Sequence, residues 1–144
     1  MIMKSGLLSL ILCLILLGGK AQKSDPASKE FEAFWKQLYT AIVKKDYQAV
    51  SQFIEFPLVV KKNLTDASVQ TVNQEEFGKF FTIYLNLPGK EIYNNKYELL
   101  RARKSLSEDD LSLLSDDSAT IEDFEFQKIE GQWKLVYIYA TDGQ

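Results

Sequence analysis

The chain has 144 residues, 46% hydrophobic and 26% charged, with one cysteine, no histidine and a formal net charge of −3, the composition of one globular domain that is neither disordered nor disulfide-built. Having no histidine excludes Ser-His-Asp and Cys-His nucleophiles, HExxH zinc sites, haem held by His and any imidazole pH switch. A negative balance without Arg-rich or Lys-rich tracts argues against nucleic acid and anionic lipid as partners.

Lys4 is the only charge before an uncharged, Leu- and Ile-rich run from Ser5 to Gly19. That run is too short to span a bilayer comfortably. It ends in Gly19-Lys20-Ala21, with small residues at the minus-three and minus-one positions of a signal peptidase site, which predicts a signal peptide over residues 1–21 and one domain over residues 22–144. The alternative is an uncleaved anchor. Cys13 follows Leu12 rather than a small residue, so no lipid anchor is expected. The predicted location is periplasmic or secreted, with no membrane contact after cleavage. Cleavage removes Lys4 and Lys20, takes the net charge from −3 to −5 and leaves no cysteine.

Asp25-Pro26 offers an N-cap and a first-turn proline, and Phe31, Phe34, Trp35, Leu38, Ala41 and Ile42 then recur at spacings of three and four. This predicts a long first helix. Asp46 caps a second helix with Tyr47, Val50, Phe53 and Ile54 on one face, stopped by Pro57. Leu58-Val59-Val60 and Ser68 to Val72 read as a strand pair around a polar turn, Lys61 to Asp66. Asn73 with Glu76 approximates a capping box for a third helix carrying Phe77, Phe80, Phe81, Tyr84 and Leu85 until Pro88-Gly89. Tyr97 to Arg103 is expected as a strand, and Ser107 to Asp110 cap a helical turn over Leu111 to Leu114. Ile121 to Ile129 and Gln132 to Ala140 form a hairpin around Glu130-Gly131. A two-residue loop there sets Phe126 opposite Leu135, Phe124 opposite Tyr137 and Gln127 opposite Lys134. Glu130 is a poor fit to the positive φ of such a turn.

The expected fold is α+β, three helices from the N-terminal half packed in the concavity of a curved, mainly antiparallel sheet. With Asp46-Tyr47-Gln48-Ala49-Val50 at the helix junction, Asn73-Gln74-Glu75-Glu76-Phe77 opening the third helix and Gly131-Gln132-Trp133-Lys134-Leu135 starting the last strand, the order resembles the nuclear transport factor 2-like superfamily over residues 28 to 140. This is the cystatin-like cone shared with ketosteroid isomerase. The resemblance implies a cone whose mouth binds ligands, in a group that includes isomerases, dehydratases, epoxide hydrolases and protein-binding domains. Fold alone does not choose among them. Aligned on Asp46, the isomerases' oxyanion-hole tyrosine falls on Leu38 and their general-base aspartate near Lys62, and both departures weigh against that chemistry. Tyr39 and Asp66 lie close by.

Three constellations stand out. Trp35, Tyr39, Tyr84, Tyr97 and Tyr137 either line a pocket at the cone mouth or fill the interior. Lys61 and Lys62 in one turn, with Arg101 and Arg103 on a strand, either clamp an anion from an inward face or point outward to solvent. Glu108, Asp109, Asp110, Asp116 and Asp117 lack the glycine and spacing of a calcium loop and read as capping and solvated residues. Asn63-Leu64-Thr65 fits a glycosylation triplet and is assigned no role. No cofactor and no metal are expected.

The sequence thus favours a small, exported, non-catalytic binding domain. Its candidate ligand residues are Trp35, Tyr39, Tyr84, Tyr97, Arg101 and Tyr137, and its ligand is a small apolar or anionic molecule or a protein. One alternative is an acid–base enzyme of the isomerase or dehydratase type using a tyrosine and a buried acid such as Glu55 or Glu98. The other is an associative homodimer through the sheet, prompted by Val136 and Ile138, which would otherwise face water.

Overall fold

A computed structural model describes residues 25–62 and 69–140. The predicted signal peptide, Cys13 and the Asn63 triplet lie outside these residues. Along the chain run α1 (Pro26–Val43), α2 (Tyr47–Ser51), β1 (Ile54–Lys61), β2 (Val69–Val72), α3 (Gln74–Leu85), α4 (Lys96–Arg101), α5 (Glu108–Ser112), β3 (Ser118–Ile121), β4 (Phe124–Ile129) and β5 (Gln132–Tyr139). The strands form one open sheet in the order β2-β1-β5-β4-β3, parallel only between β1 and β5. The α+β class is as the sequence implies, with the long helices in the N-terminal half.

The first helix forms where its periodicity places it. Asp25 accepts the Ala27 amide at 3.2 Å, Pro26 supplies the first-turn φ, and Phe31, Trp35, Leu38, Ala41 and Ile42 are buried on one stripe. It ends in two reciprocal bonds, Lys45 N to Ile42 O and Asp46 N to Ala41 O, that require a left-handed residue, and Lys45 takes that role at φ 54°. Across from α1, the inward residues of β1, β4 and β5 complete the core: Leu58, Phe124, Phe126, Leu135 and Ile138 have no exposed surface. Each such side chain contributes about 1.5–3 kcal/mol by leaving water. Phe34 and Phe80, expected in that core, are half-buried at its margin.

Several expectations need correction, among them the helical turn over Leu111 to Leu114, which is α5 at Glu108–Ser112. Residues Tyr97 to Arg103 are not a strand. Asn95 accepts the Glu98 amide at 2.9 Å and caps α4, burying Leu99 and Leu100 side by side, a spacing that strand alternation does not allow. The second helix stops at Ser51, because Ile54, Leu58 and Val60 alternate inward as a strand and the Phe53 carbonyl accepts the Leu135 amide of β5 at 2.8 Å. Pro57 lies within β1, after a cis peptide bond, where pairing with β5 shifts register between Ile54 and Val59 and no proline N–H is required. The strand expected over Ile121 to Ile129 is broken at Glu122-Asp123, where β3 turns into β4, with Glu122 at φ 49°.

The last hairpin keeps Phe126 opposite Leu135 and Gln127 opposite Lys134, around Glu130 (φ 49°) and Gly131 (φ 78°). Further from the turn a bulge shifts the pairing, so that Phe124 meets Ile138 rather than Tyr137. That one-residue shift inverts the faces beyond it. Val136 and Ile138 are thereby buried, at 8% and 0% exposure, and Tyr137 turns to the side away from the helices. Exposure of Val136 and Ile138, which prompted the sheet-dimer reading, is absent from the folded chain.

Candidate functional site

Polar tips inside a packed domain must find partners, and here they find backbone. Tyr39 donates to the Arg101 carbonyl at 2.6 Å, Trp35 Nε1 to the Arg103 carbonyl at 2.8 Å, and Tyr97 to the Val43 carbonyl at 2.9 Å. Arg101 and Val43 are the last residues of α4 and α1, whose carbonyls have no partner within their own helices. Three aromatic side chains therefore lace α1 to α4 and close both helix ends. Lys45 adds its ammonium over the Tyr97 ring, 4.5 Å from the centroid.

The six predicted ligand residues do not converge on one mouth. Trp35, Tyr39, Tyr97 and Arg101 meet at the α1–α4 seam, with Arg101 exposed beside a shallow groove of about 390 Å³ that it shares with Tyr93, Glu98 and Ala102. Tyr84, on α3, turns its hydroxyl to Asp123 of the β3–β4 turn instead. Tyr137 is on the outer sheet face beneath Lys61, whose Nζ sits 4.0 Å from its ring centroid. Lys62 is exposed at the end of β1. Leu38, at the position the isomerases give to their oxyanion donor, is fully buried.

Tyr84 belongs to a polar cluster that the sequence did not disclose. Its hydroxyl donates to Asp123 Oδ2 at 2.8 Å, and Lys96 Nζ lies 2.7 Å from the same oxygen. Lys96 and Asp123 are 3% and 8% exposed, so the ion pair is sealed in. Burial, and then the Asp123 carboxylate, push the Tyr84 hydroxyl well above its ordinary value. Around this centre Glu122 takes Lys90 at 3.7 Å and Arg103 at 3.5 Å, and Arg103 also pairs with Asp110. The β3–β4 turn is thus held by three cations from the segment after α3. A tyrosine, carboxylate and lysine in line can pass a proton, but a reacting group has to reach them. The surface grooves lie elsewhere.

Two signals in the sequence could have found this cluster. Glu122-Asp123 interrupts the apolar alternation, the mark of a turn, and Asn95 three residues before Glu98 repeats the spacing that opened α3. Glu55, one of the two acids considered for catalysis, is exposed, and Glu98 is half-buried, taking the Asn94 amide. Among the described residues, no group of three or more His, Cys, Asp or Glu could hold a metal.

Two larger grooves flank α1. One, of about 400 Å³, has Phe34, Phe53 and Trp133 as its apolar surface and Gln37, Gln52 and Gln132 around it. Trp133 is 5% exposed, and its Nε1 is a buried donor with no partner among the described residues. Leaving such a donor unmatched costs about 1–3 kcal/mol. The other, of about 500 Å³, is walled by Lys29, Lys36 and Lys104 over Trp35 and Leu106.

No protein-family model and no curated protein matches the sequence. Among solved structures, the chain is similar to one from Xanthomonas campestris described as a "Putative calcium/calmodulin dependent protein kinase II association domain", with a TM-score of 0.41 and 13% sequence identity over 84% of this chain and 91% of that one.

Proposed function

We propose that this chain is an exported, non-catalytic binding domain of the nuclear transport factor 2-like type. Its ligand, a small molecule or a short protein segment, sits in the groove lined by Phe34, Phe53 and Trp133. The observation that carries this reading is the groove itself, an aromatic surface of Phe34, Phe53 and Trp133 bordered by three amides, the mixture of apolar area and few placed polar groups that ligand sites use. The filled interior supports it as well, because Tyr39, Tyr84, Tyr97 and Trp35 already spend their hydrogen bonds within the chain. Export rests on the Lys4-to-Ala21 pattern.

The test is a fragment and tripeptide screen of the purified protein by NMR, following the two indole N–H resonances. Binding should move the Trp133 indole together with the side-chain amides of Gln37, Gln52 and Gln132, and Trp133→Phe should abolish it. Hits that instead shift Tyr84 and Lys96 would overturn the groove assignment. The alternative, an acid–base enzyme, has Tyr84, Asp123 and Lys96 in its favour, and turnover of a β,γ-unsaturated ketosteroid that Tyr84→Phe removes would establish it in place of the binding reading.

A further inference from the structure

On the flank of α1 opposite the proposed ligand groove, a group of lysines and, a few residues further along the chain, a group of carboxylates complement each other in charge. Lys29 and Lys36 are seven residues apart, two turns along one face of α1, and Lys104 faces them from the segment after α4. Glu32 is the one carboxylate lining this groove. Among the described residues, no carboxylate lies within 4.0 Å of any of the three ammonium groups, whereas Lys90, Lys96, Arg103 and Lys128 all have acidic partners. Leu106, half-buried, is the apolar side chain on the floor, and beneath the groove Trp35 is fully buried.

A few residues further on, the chain presents the opposite surface. Glu108 and Asp109 are exposed on α5, Asp116 and Asp117 follow it, and none of the four has a cationic partner among the described residues. Between them Leu113 is 65% exposed, one of three large apolar side chains left in water. This acidic knob is firmly held. Ser107 and Asp110 cap α5 reciprocally, and Asp110 pairs with Arg103 at the edge of the lysine groove. Asp110 is therefore committed within the chain, while its neighbours are not.

We propose that the lysine groove receives the α5 knob of a second copy of this chain, Glu108 and Asp109 meeting Lys36 and Lys104 while Leu113 covers Leu106. Knob and groove are joined by the short Arg103–Ser107 segment, so a two-fold axis beside it lets each copy fill the other's groove, a closed, self-complementary contact. A chain of net charge −3 repels its own kind at long range. A local patch of three unpaired lysines is where that repulsion is reversed. The association does not depend on the Trp133 groove or its ligand.

Sedimentation velocity over a concentration series tests it with two charge-reversed proteins, Lys36→Glu with Lys104→Glu, and Glu108→Lys with Asp109→Lys. Wild type should self-associate, and each variant alone should do so about a hundredfold more weakly, because like charges then face each other across the contact. An equal mixture of the two should regain wild-type affinity, since every reversed lysine meets a reversed acid. Because lysines in the first turn of α5 oppose its dipole, Asp116→Lys with Asp117→Lys is run beside the second protein, and circular dichroism checks that all are folded. A wild type that stays monomeric throughout, or variants that associate as wild type does, would overturn the proposal. So would association lost only in Tyr137→Lys, which places the contact on the outer sheet face.

Discussion

Lys96 is the side chain whose loss the fold should feel most for its size. Lys96→Met keeps the aliphatic stem and deletes only the ammonium, so the apolar burial of α4 against the core is nearly unchanged. What remains is a carboxylate, 8% exposed, facing a single neutral donor, the Tyr84 hydroxyl at 2.8 Å. Breaking a buried ion pair from one side costs about 3–5 kcal/mol, because the orphaned charge keeps its desolvation penalty and loses its attraction. Against a domain stability of about 5–15 kcal/mol that is a large share. The second change, Asp123→Asn in the same chain, removes the stranded charge and leaves an oxygen for Tyr84. The double variant should therefore recover most of the loss and lie within about 1–2 kcal/mol of wild type. Urea unfolding of wild type, both single variants and the double, with the slope held constant, gives the coupling directly. A Lys96→Met protein that loses under about 1 kcal/mol, or singles that simply add in the double, would refute the claim that the pair is sealed and coupled.

The same cluster sets an alkaline limit. Burial and Asp123 hold the Tyr84 hydroxyl well above its ordinary value of 10.0, and a hydrogen bond to Glu125 with some burial raises Tyr139 to about 12. A proton held more tightly in the folded chain gives stability that is complete below pH 10.0 and is lost as pH climbs through the raised values. The urea midpoint should fall over that range while tyrosinate absorbance shows a late component that Tyr139→Phe reduces; an absorbance titration with no late component would contradict this. Phe81→Ala, from a fully buried position, should cost about 3–5 kcal/mol and Phe80→Ala, at the core margin, about half that, with equal midpoints counting against the burial assignment. Gly89→Ala should destabilise by about 1–3 kcal/mol because a Cβ there would lie 2.4 Å from the Tyr93 carbonyl oxygen, and an unchanged melting temperature would show that the loop yields. Glu130→Asn should stabilise by about 0.5–1 kcal/mol, since Asn tolerates the φ of 49° that the hairpin turn imposes on Glu130; a loss would mean that the turn is not as described.

Which elements were legible follows from their length. The first and third helices announce themselves because 18 and 12 residues give several turns of apolar periodicity, more than chance supplies. Helix α4 has six residues, and over so short a span Tyr97, Leu99 and Arg103 look as much like a strand as Leu99 and Leu100 look like a helix. There the cap decides: Asn95, not the apolar pattern, carries the information. The same reasoning explains the hairpin. Its turn-proximal register is fixed by loop length and side-chain matching, but the bulge beyond Phe126 depends on how β5 must also serve β1 on its other side, a non-local demand invisible to pairwise matching. Missing that bulge put Val136 and Ile138 in water and Tyr137 inside.

The site was less legible than the fold for a related reason. Aromatic side chains with polar tips carry no mark saying whether the tip meets a ligand or a backbone carbonyl. Tyr39, Trp35 and Tyr97 are turned inward by carbonyls at and just beyond the ends of α1 and α4, two of which are placed there only because α4 is a helix. Reading that segment as a strand removed that placement, and the three side chains then looked free to bind. Trp133 is the converse case. It sits on β5 in strict alternation, indistinguishable in sequence from a core residue, and only the packed structure shows its indole donor unmatched beside a groove. What read in the sequence as a pocket is therefore packed interior, and the open grooves lie on the two flanks of α1, beside Trp133 on one and between three lysines on the other.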